Sequence, residues 1–469
     1  MNFEDILIRQ LPFEPTSGQR MAAKALDRFI TSPDPLQVFV LRGYAGTGKT
    51  SLIAALVQAL PAVRMKSVLL APTGRAAKVV SGYSGKQAFT VHRKIYRTAG
   101  TDDDGFVGLQ NNTHTDTIFI VDEASMIGQG SSDKQAFPNS LLEDLFTYVE
   151  HGENCRLIFV GDTAQLPPVG LSDSPALDPN YLKRNFGFQV HAVELNEVVR
   201  QQLDSGVLLN ATRLRLALAA GETGYPQFVT QGYHDLIRLE GSDLMDTLEQ
   251  SYSKFGPEDT IIICRSNKRA NQYNQAIRQR IRWQEDEIST GDYIMIVKNN
   301  YFWLPQDSKA GFLANGDTAI IRRINKYREM HGFRFADVTI QLLDYPDEPE
   351  LDTRIILDSL HTEAPALTPQ QQQQLFESVA GDYVDLGSKG AIYREMKKDE
   401  YFNALQVKFA YAVTCHKAQG GQWASVFIEQ GYLTEEMLNA DFLRWLYTGI
   451  TRTTDKVYLI NFNKEFYAD

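Results

Sequence analysis

Along the chain, short apolar runs alternate with longer stretches whose apolar residues recur at helical spacing. The runs "QVFVL", "SVLLA", "TIFIV", "RLIFV", "TIIIC", "FAYAV", "SVFIE" and "KVYLI" predict strands. Several are unbroken, as expected of strands buried on both faces, and the helical stretches between them suit crossover connections. The pattern predicts an α/β protein with parallel sheets.

The alternation breaks twice. Between "HRKIYR" and "DTIFIV" the polar segment "TAGTDDDGFVGLQNNTHT" predicts a small hairpin or loop insertion. From about Lys298 to Asn403 the chain turns β-rich, with "YIMIV" leading into "TAIIRRI" and "DVTIQLLDY", followed by "TPQQQQQLFESV". There Thr368 is placed to cap a helix and Pro369 to fill its first position.

Composition narrows the class. With 469 residues, 43% hydrophobic and 22% charged, the chain can build two or three cores. It has no run of 18 or more apolar residues, so no membrane-spanning helix is predicted. The start, "MNFEDILIRQLPFEPTS", carries early acidic residues and neither a long apolar nor an Arg-rich region; no signal or transit peptide is expected, and a cytoplasmic location is. Cys155, Cys264 and Cys415 lie far apart without metal-ligand spacing, which predicts ordinary buried cysteines.

The net charge of -11 hides segregation. Pro35 to Thr101 holds ten Lys and Arg and no acidic residue, and "IIICRSNKRANQYNQAIRQRIR" (Ile261 to Arg282) holds six and none. Acid concentrates at Asp102 to Asp104 and in "LLDYPDEPELDTRIILDSLHTE". Such patterning predicts a positive surface fit for a phosphate backbone on an acidic molecule.

Candidate chemistry begins at "GYAGTGKT", which follows a buried strand and opens a helix, the setting of a phosphate-binding loop. Its glycines let N–H groups face phosphate oxygens, Lys49 reaches the β and γ phosphates, and Thr50 can ligate Mg²⁺. In "TIFIVDEASM", Asp122 is placed to hold the metal's water shell and Glu123 to position or deprotonate the attacking water. An Asp-Glu pair alone is usually a surface feature; after a phosphate loop it is not. "VGDTAQLPPVG" brings Asp162 and Gln165 to the carboxyl edge of the sheet, where ligands sit in open α/β folds. Arg200 in "LNEVVRQ" and Arg452 in "WLYTGITRTTDKVYLI" are candidates for the cation that stabilises phosphoryl transfer.

The ordered series "FEPTSGQ", "GYAGTGKT", "APTGRAAK", "TVHRKIY", "IVDEASM", "GDTAQLPPVG", "LNEVVRQ", "YAVTCHKAQGGQW" and "YTGITRT" resembles the motif set of superfamily 1 DNA helicases, and within it the 5′-to-3′ RecD-like and Dda-like group, over about residues 13 to 460. The resemblance implies two RecA-like lobes with ATP and Mg²⁺ in the cleft between them. Residues 1–200 would form the first, with a pin-like insertion at about 97–116; residues 201–297 and 404–469 the second; and 298–403 an SH3-like β-rich insertion.

Position by position, it implies that Gln19 reads the adenine edge and that Gly43, Gly46, Thr47, Gly48, Lys49 and Thr50 cradle the phosphates. Asp122 and Glu123 would serve metal and water, Gln165 would couple the γ phosphate to DNA, and Arg200 and Arg452 would be arginine fingers. For single-stranded DNA it points to Pro72, Thr73, Thr90, His92, Thr414, His416, Lys417 and Gln419, short polar or basic groups that fix register without reading sequence. Phe106 falls where this group carries its strand-separating pin. An aromatic stacked on a base contributes about 1–3 kcal/mol, comparable with a DNA stacking step of about 1.4 kcal/mol, so Phe106 either holds open the first melted pair or packs the hairpin onto its lobe. "ANGDTAII" is the most recognisable part of the SH3-like insertion, whose acidic part would face solvent or a protein partner. Thr453, Thr454 and Gly421 depart from the group's pattern, the last where a Ser is frequent.

The expected activity is therefore ATP-dependent 5′-to-3′ unwinding by a chain that translocates on single strands and meets single-strand/duplex junctions. The alternative is a DNA-stimulated ATPase, translocase or remodelling subunit that does not unwind without a partner.

Overall fold

The computed structural model describes residues 2–34, 36–98, 107–128, 139–198, 204–305, 308 and 311–468. A first sheet of six parallel strands runs in the order Ala88–Thr90, Lys66–Ala71, Thr115–Val121, Glu153–Gly161, Gln37–Gly43, Gln189–Leu195. Successive residues of each central strand feed opposite cores, as the period of two requires. Phe39, Leu41, Ile118, Ile120, Ile158 and Val160 pack with the helices Phe3–Arg9, Ser17–Thr31, Lys49–Ala59 and Gly74–Ser84. Val38, Val40, Phe119, Val121, Leu157 and Phe159 pack with Leu141–Glu150 on the other face.

A second parallel sheet runs Ala412–Thr414, Thr260–Cys264, Trp423–Glu429, Thr453–Ile460, Leu236–Leu239. Its helices Gly206–Ala220 and Ala440–Ile450 cover one face, and Leu244–Phe255 with Asn267–Arg280 the other. These are the two predicted α/β lobes.

The insertion is a closed five-strand barrel of Tyr293–Ile296, Thr318–Met330, Phe333–Leu342, Leu351–Ile356 and Leu405–Phe409. Its interior is continuous with the second lobe, since Ile294, Ile321, Val338 and Val407 share one core with Ile262, Phe427 and Ile460. At about 1.5–3 kcal/mol for each buried large apolar side chain, that shared core roots the barrel on this lobe. Between the last two barrel strands, Pro369–Gly381 starts as expected: Thr368 caps it and Gln371 completes a capping box.

Four expectations need correction. The barrel takes in residues 293–296 and 405–409, beyond the 298–403 boundary, because closure needs a first and a last strand. "FAYAV" is not one strand: Phe409 ends a barrel strand and Ala412 starts a lobe strand, with the chain crossing at the buried Tyr411, whose hydroxyl donates to Asp292 at 3.1 Å. The edge strands Ala88–Thr90, Gln189–Leu195 and Leu236–Leu239 escape an unbroken-apolar criterion because one side of each faces water or a loop. The second basic stretch is partly offset by pairing within the chain: Arg278 meets Asp292 at 2.9 Å inside the fold, while Arg269 with Glu429 at 2.8 Å and Lys268 with Glu363 at 3.2 Å pair nearer the surface.

The hairpin insertion is present as Tyr96–Thr98 paired antiparallel with Val107–Leu109. Phe106 lies outside the described residues. Cys264 and Cys415 are buried, Cys155 is half-buried, and all three are free thiols. Among the described residues, no helix is long and apolar enough to cross a membrane.

Candidate nucleotide cleft and nucleic-acid groove

The strand Gln37–Gly43 runs straight into the loop that precedes the helix Lys49–Ala59. Gly46 and Gly48 turn with φ of 75° and 80°, the left-handed region that a side chain disfavours. A Cβ on Gly43 would lie 2.8 Å from Lys49 Cγ and 2.9 Å from Thr47 Oγ1, so that glycine is demanded by space rather than by φ. Thr47 donates to the Tyr44 carbonyl at 2.8 Å, and Lys49 Nζ donates to the Gly43 and Tyr44 carbonyls at 2.5 and 3.0 Å while standing 3.8 Å from Asp162 Oδ2. These bonds hold the lysine at the rim of the loop.

Above it opens a cleft of about 840 Å³ bordered by both lobes, with Lys49, Thr50, Asp122, Glu123, Gln165 and Arg452 on its walls. Asp122 accepts from the Tyr83 hydroxyl at 2.6 Å and from the Glu123 N–H at 2.8 Å. Burial first, and the adjacent Glu123 carboxylate second, push its carboxyl up to about 6. Glu123 has φ 52°, an uncommon value for a side-chain-bearing residue, and this turn brings its carboxylate toward the second lobe. There Arg452 Nη1 stands 3.5 Å from Glu123 Oε1. The Gln165 amide lies between the two, its NH₂ donating to Glu123 Oε2 at 3.2 Å and its carbonyl accepting from Arg452 Nη2 at 3.0 Å, the orientation assigned by these neighbours. Residues from two strand ends of one lobe and a helix end of the other therefore meet in one network.

Gln19 is placed differently from the expectation. It is fully buried, with its carbonyl accepting from the Thr16 N–H at 3.0 Å and its NH₂ donating to the Thr47 carbonyl at 3.3 Å. In this arrangement it completes the capping box of Ser17–Thr31 and steadies the phosphate loop instead of facing the cleft. Arg200 lies outside the described residues.

The residues expected at DNA divide into two groups. Thr73, Lys417 and Gln419 converge, with Arg75 and Trp423, on a pocket of about 40 Å³, room for about one water. The half-buried Pro72 precedes Thr73, which caps Gly74–Ser84 by accepting from the Ala76 N–H at 3.2 Å. Lys417 donates to Asn315 of the barrel at 2.7 Å, and burial pulls its ammonium down to about 8. Gln419 borders the pocket but is buried, its amide donating to the Leu166 carbonyl at 2.9 Å, one loop position from Gln165, and to Ser125 Oγ at 3.4 Å. It joins the groove to the cleft rather than presenting its amide to a strand.

The second group does not line this pocket. Thr90 is buried and caps Val91–Ile95 through the Arg93 N–H at 3.2 Å. His92 packs near Tyr96 at 5.8 Å and Phe312 of the barrel at 6.2 Å between ring centres, and burial pushes it down to about 4, so it is neutral at pH 7. Thr414 precedes the turn Cys415–Ala418, and His416 is exposed on it.

Comparison with known proteins bears on what such a pair of sites belongs to. The family described as "AAA domain" matches residues 16–233, and "UvrD-like helicase C-terminal domain" matches 409–460. The RecD2 DNA helicase of Deinococcus radiodurans is 34% identical over 133 residues, 28% of this chain and 16% of that protein. The Dda DNA helicase of Enterobacteria phage T4 is 25% identical over 306 residues, 63% of this chain and 62% of that protein. These matches liken the chain to superfamily 1 helicases of the RecD/Dda type. Its matches span 16% and 62% of the lengths of those two relatives. A solved Pif1 helicase from Bacteroides, in complex with ADP-AlF3 and ssDNA, aligns over 97% of this chain and 95% of that one, with 15% identity and a TM-score of 0.47.

The motifs left several residues of the cleft unmarked. Tyr83 and Tyr447 hold Asp122 and Asp162 by hydroxyl bonds of 2.6 Å each. Thr448 Oγ1 accepts from the Leu166 N–H at 2.9 Å. A helical reading of "WLYTGITRT" could have found Thr448, which precedes Arg452 by four residues. The departure at Gly421 also has a cause: a Cβ there would lie 2.3 Å from the Trp423 ring, over which the Arg75 guanidinium sits at 4.1 Å. A serine has no room beneath that inter-lobe stack.

Proposed function

We propose that the chain is an ATP-dependent DNA helicase that moves 5′ to 3′ on single strands and opens duplex at junctions. The observation that carries this reading is the Glu123–Gln165–Arg452 network closing across the phosphate loop from both lobes. The neighbouring bond from Gln419, which borders the groove of Thr73 and Lys417, to the Leu166 carbonyl next to Gln165 supports coupling of hydrolysis to a strand. Both relatives are named DNA helicases; the direction is that of the group the motifs resemble.

The residues present fit nucleotide and metal. The cradle leaves no space for a Cβ at Gly43, and an exposed Thr50 hydroxyl with the Asp122 carboxylate gives the sparse oxygen set that suits Mg²⁺ beside phosphates. Bound there, Mg²⁺ would neutralise charge on the phosphate oxygens. Lys49, released from its carbonyl partners, reaches the β and γ phosphates. Glu123 orients the attacking water and takes its proton; Arg452 offsets charge on the transferring group, and Gln165 reports that state to Gln419. The barrel and its acidic strand region, 342–363, form a surface for a protein partner in this proposal.

Strand displacement on matched duplexes with a 5′ or a 3′ tail, by wild type and Lys49→Ala, tests it. Displacement from the 5′-tailed substrate alone, lost in Lys49→Ala, is expected; displacement from the 3′-tailed one alone reverses the direction. A second reading, a DNA-stimulated translocase that unwinds only with a partner, draws on the 40 Å³ groove. DNA-stimulated hydrolysis without displacement from either substrate would select it.

A further inference from the structure

The second lobe touches the phosphate loop away from Arg452, at the loop's first turn. Tyr447, on the helix Ala440–Ile450, is buried, and its hydroxyl serves two partners of the other lobe. It accepts from the Ala45 N–H at 2.8 Å and donates to Asp162 Oδ2 at 2.6 Å. Asp162 in turn stands 3.8 Å from Lys49 Nζ. One residue earlier, Tyr44 donates its hydroxyl to Glu194 at 2.6 Å while the Arg215 guanidinium covers its ring at 4.5 Å. Arg215 comes from the helix Gly206–Ala220 of the second lobe and also donates to the Asn196 carbonyl at 3.1 Å.

Each contact fixes something the loop needs. The Ala45 N–H has one direction, set by the Tyr44–Ala45 peptide plane, and Tyr447 sets that plane. Tyr44 and Ala45 border the cleft, whereas neither Tyr447 nor Arg215 is on its walls, so both act through the loop.

We propose that Tyr447 and Arg215 are positioning residues by which the second lobe grips the first turn of the phosphate loop, so that parting of the lobes loosens bound nucleotide and speeds release of the nucleoside diphosphate. This rests on the nucleotide-cleft reading above and adds a route from lobe opening to product release. Closure makes the two grips and opening breaks them, with no change in covalent bonding.

The test is stopped-flow release of a fluorescent ADP, methylanthraniloyl-ADP, from the full chain. Tyr447→Phe removes one hydroxyl bonded to a buried carboxylate, and release is expected to quicken about tenfold, with the association rate within about twofold of wild type. Arg215 is only half-buried, and Arg215→Ala is expected to quicken release about threefold, with Arg215→Lys between it and wild type. Added to Tyr44→Leu, Arg215→Ala should change nothing further. Unchanged release in Arg215→Ala and Tyr447→Phe overturns the grip; if Tyr447→Phe does not fold, unchanged release in Arg215→Ala alone overturns it. So does weaker binding that comes wholly from slower association. If wild type binds no ADP, the cleft reading itself fails and the grip with it, an outcome distinct from tight wild-type binding with unaltered variants.

Discussion

The nucleotide cleft and the strand groove draw on motifs of the same kind, short polar runs at strand ends, yet they stand in opposite conditions. The cleft is open at about 840 Å³ with its charged groups already networked across two lobes, while the groove is narrowed to about 40 Å³ with its groups engaged as helix caps or in bonds to the barrel. The cleft takes its walls from both lobes, but its phosphate loop and acidic groups sit at strand ends of one sheet, whose spacing is set by hydrogen bonding. The groove is shared by two lobes and a barrel, so its width depends on how three bodies sit together.

The sharpest way to break this contrast is Arg452→Ala, which should lower kcat for ATP hydrolysis by about 10³-fold or more while leaving affinity for an oligonucleotide, measured by anisotropy without nucleotide, near wild type. An equal loss of DNA binding would show that cleft and groove are not separable. Gln419→Ala sits on the seam and should cost about tenfold in DNA stimulation of hydrolysis, with hydrolysis in the absence of DNA retained; a loss of that basal rate as well would make Gln419 part of the cleft alone.

A smaller effect reads the groove by pH. Burial holds Lys417 at about 8 in the free protein, and a phosphate neighbour would return it toward the ordinary lysine range. Below pH 8 both states carry the proton and affinity is flat. Above it binding takes up a proton, so oligonucleotide affinity should fall by up to about tenfold per pH unit, and Lys417→Arg should flatten the fall. Lys408, also lowered to about 8 by burial and by Lys417, bonds to the Thr362 carbonyl and serves as the control, since Lys408→Arg should leave the slope in place. The smallest change is expected from Asn315→Ala, which frees Lys417 from the barrel and should tighten oligonucleotide binding about two- to fivefold; weaker binding would mean that Asn315 helps hold the strand.

What was legible in the chain follows the same division. Unbroken runs such as "TIFIV" and "TIIIC" became central strands, because burial on both faces leaves no polar positions to blur the signal. "QVHAVEL" did not read as a strand, since its outer residues face solvent at the sheet edge. Lys49, Asp122, Glu123 and Gln165 could be placed at one cleft because the phosphate loop and the strand ends around it are local constructions. Gln19 was misplaced because its partner, the Thr47 carbonyl, lies 28 residues away across a turn no spacing rule encodes.

The sequence by itself determined the two α/β lobes, the phosphate loop and the identity of the groups around it, since period, glycine placement and strand-end position are properties of neighbouring residues. Only the tertiary structure decided that residues 293–409 close into a barrel rooted on the second lobe, that Arg278 of the second basic stretch is paired inside the fold, and that Tyr447 and Arg215 reach the first turn of the loop. The reason is separation: the Tyr447–Ala45 bond joins residues 402 positions apart, and nothing local to either marks the other.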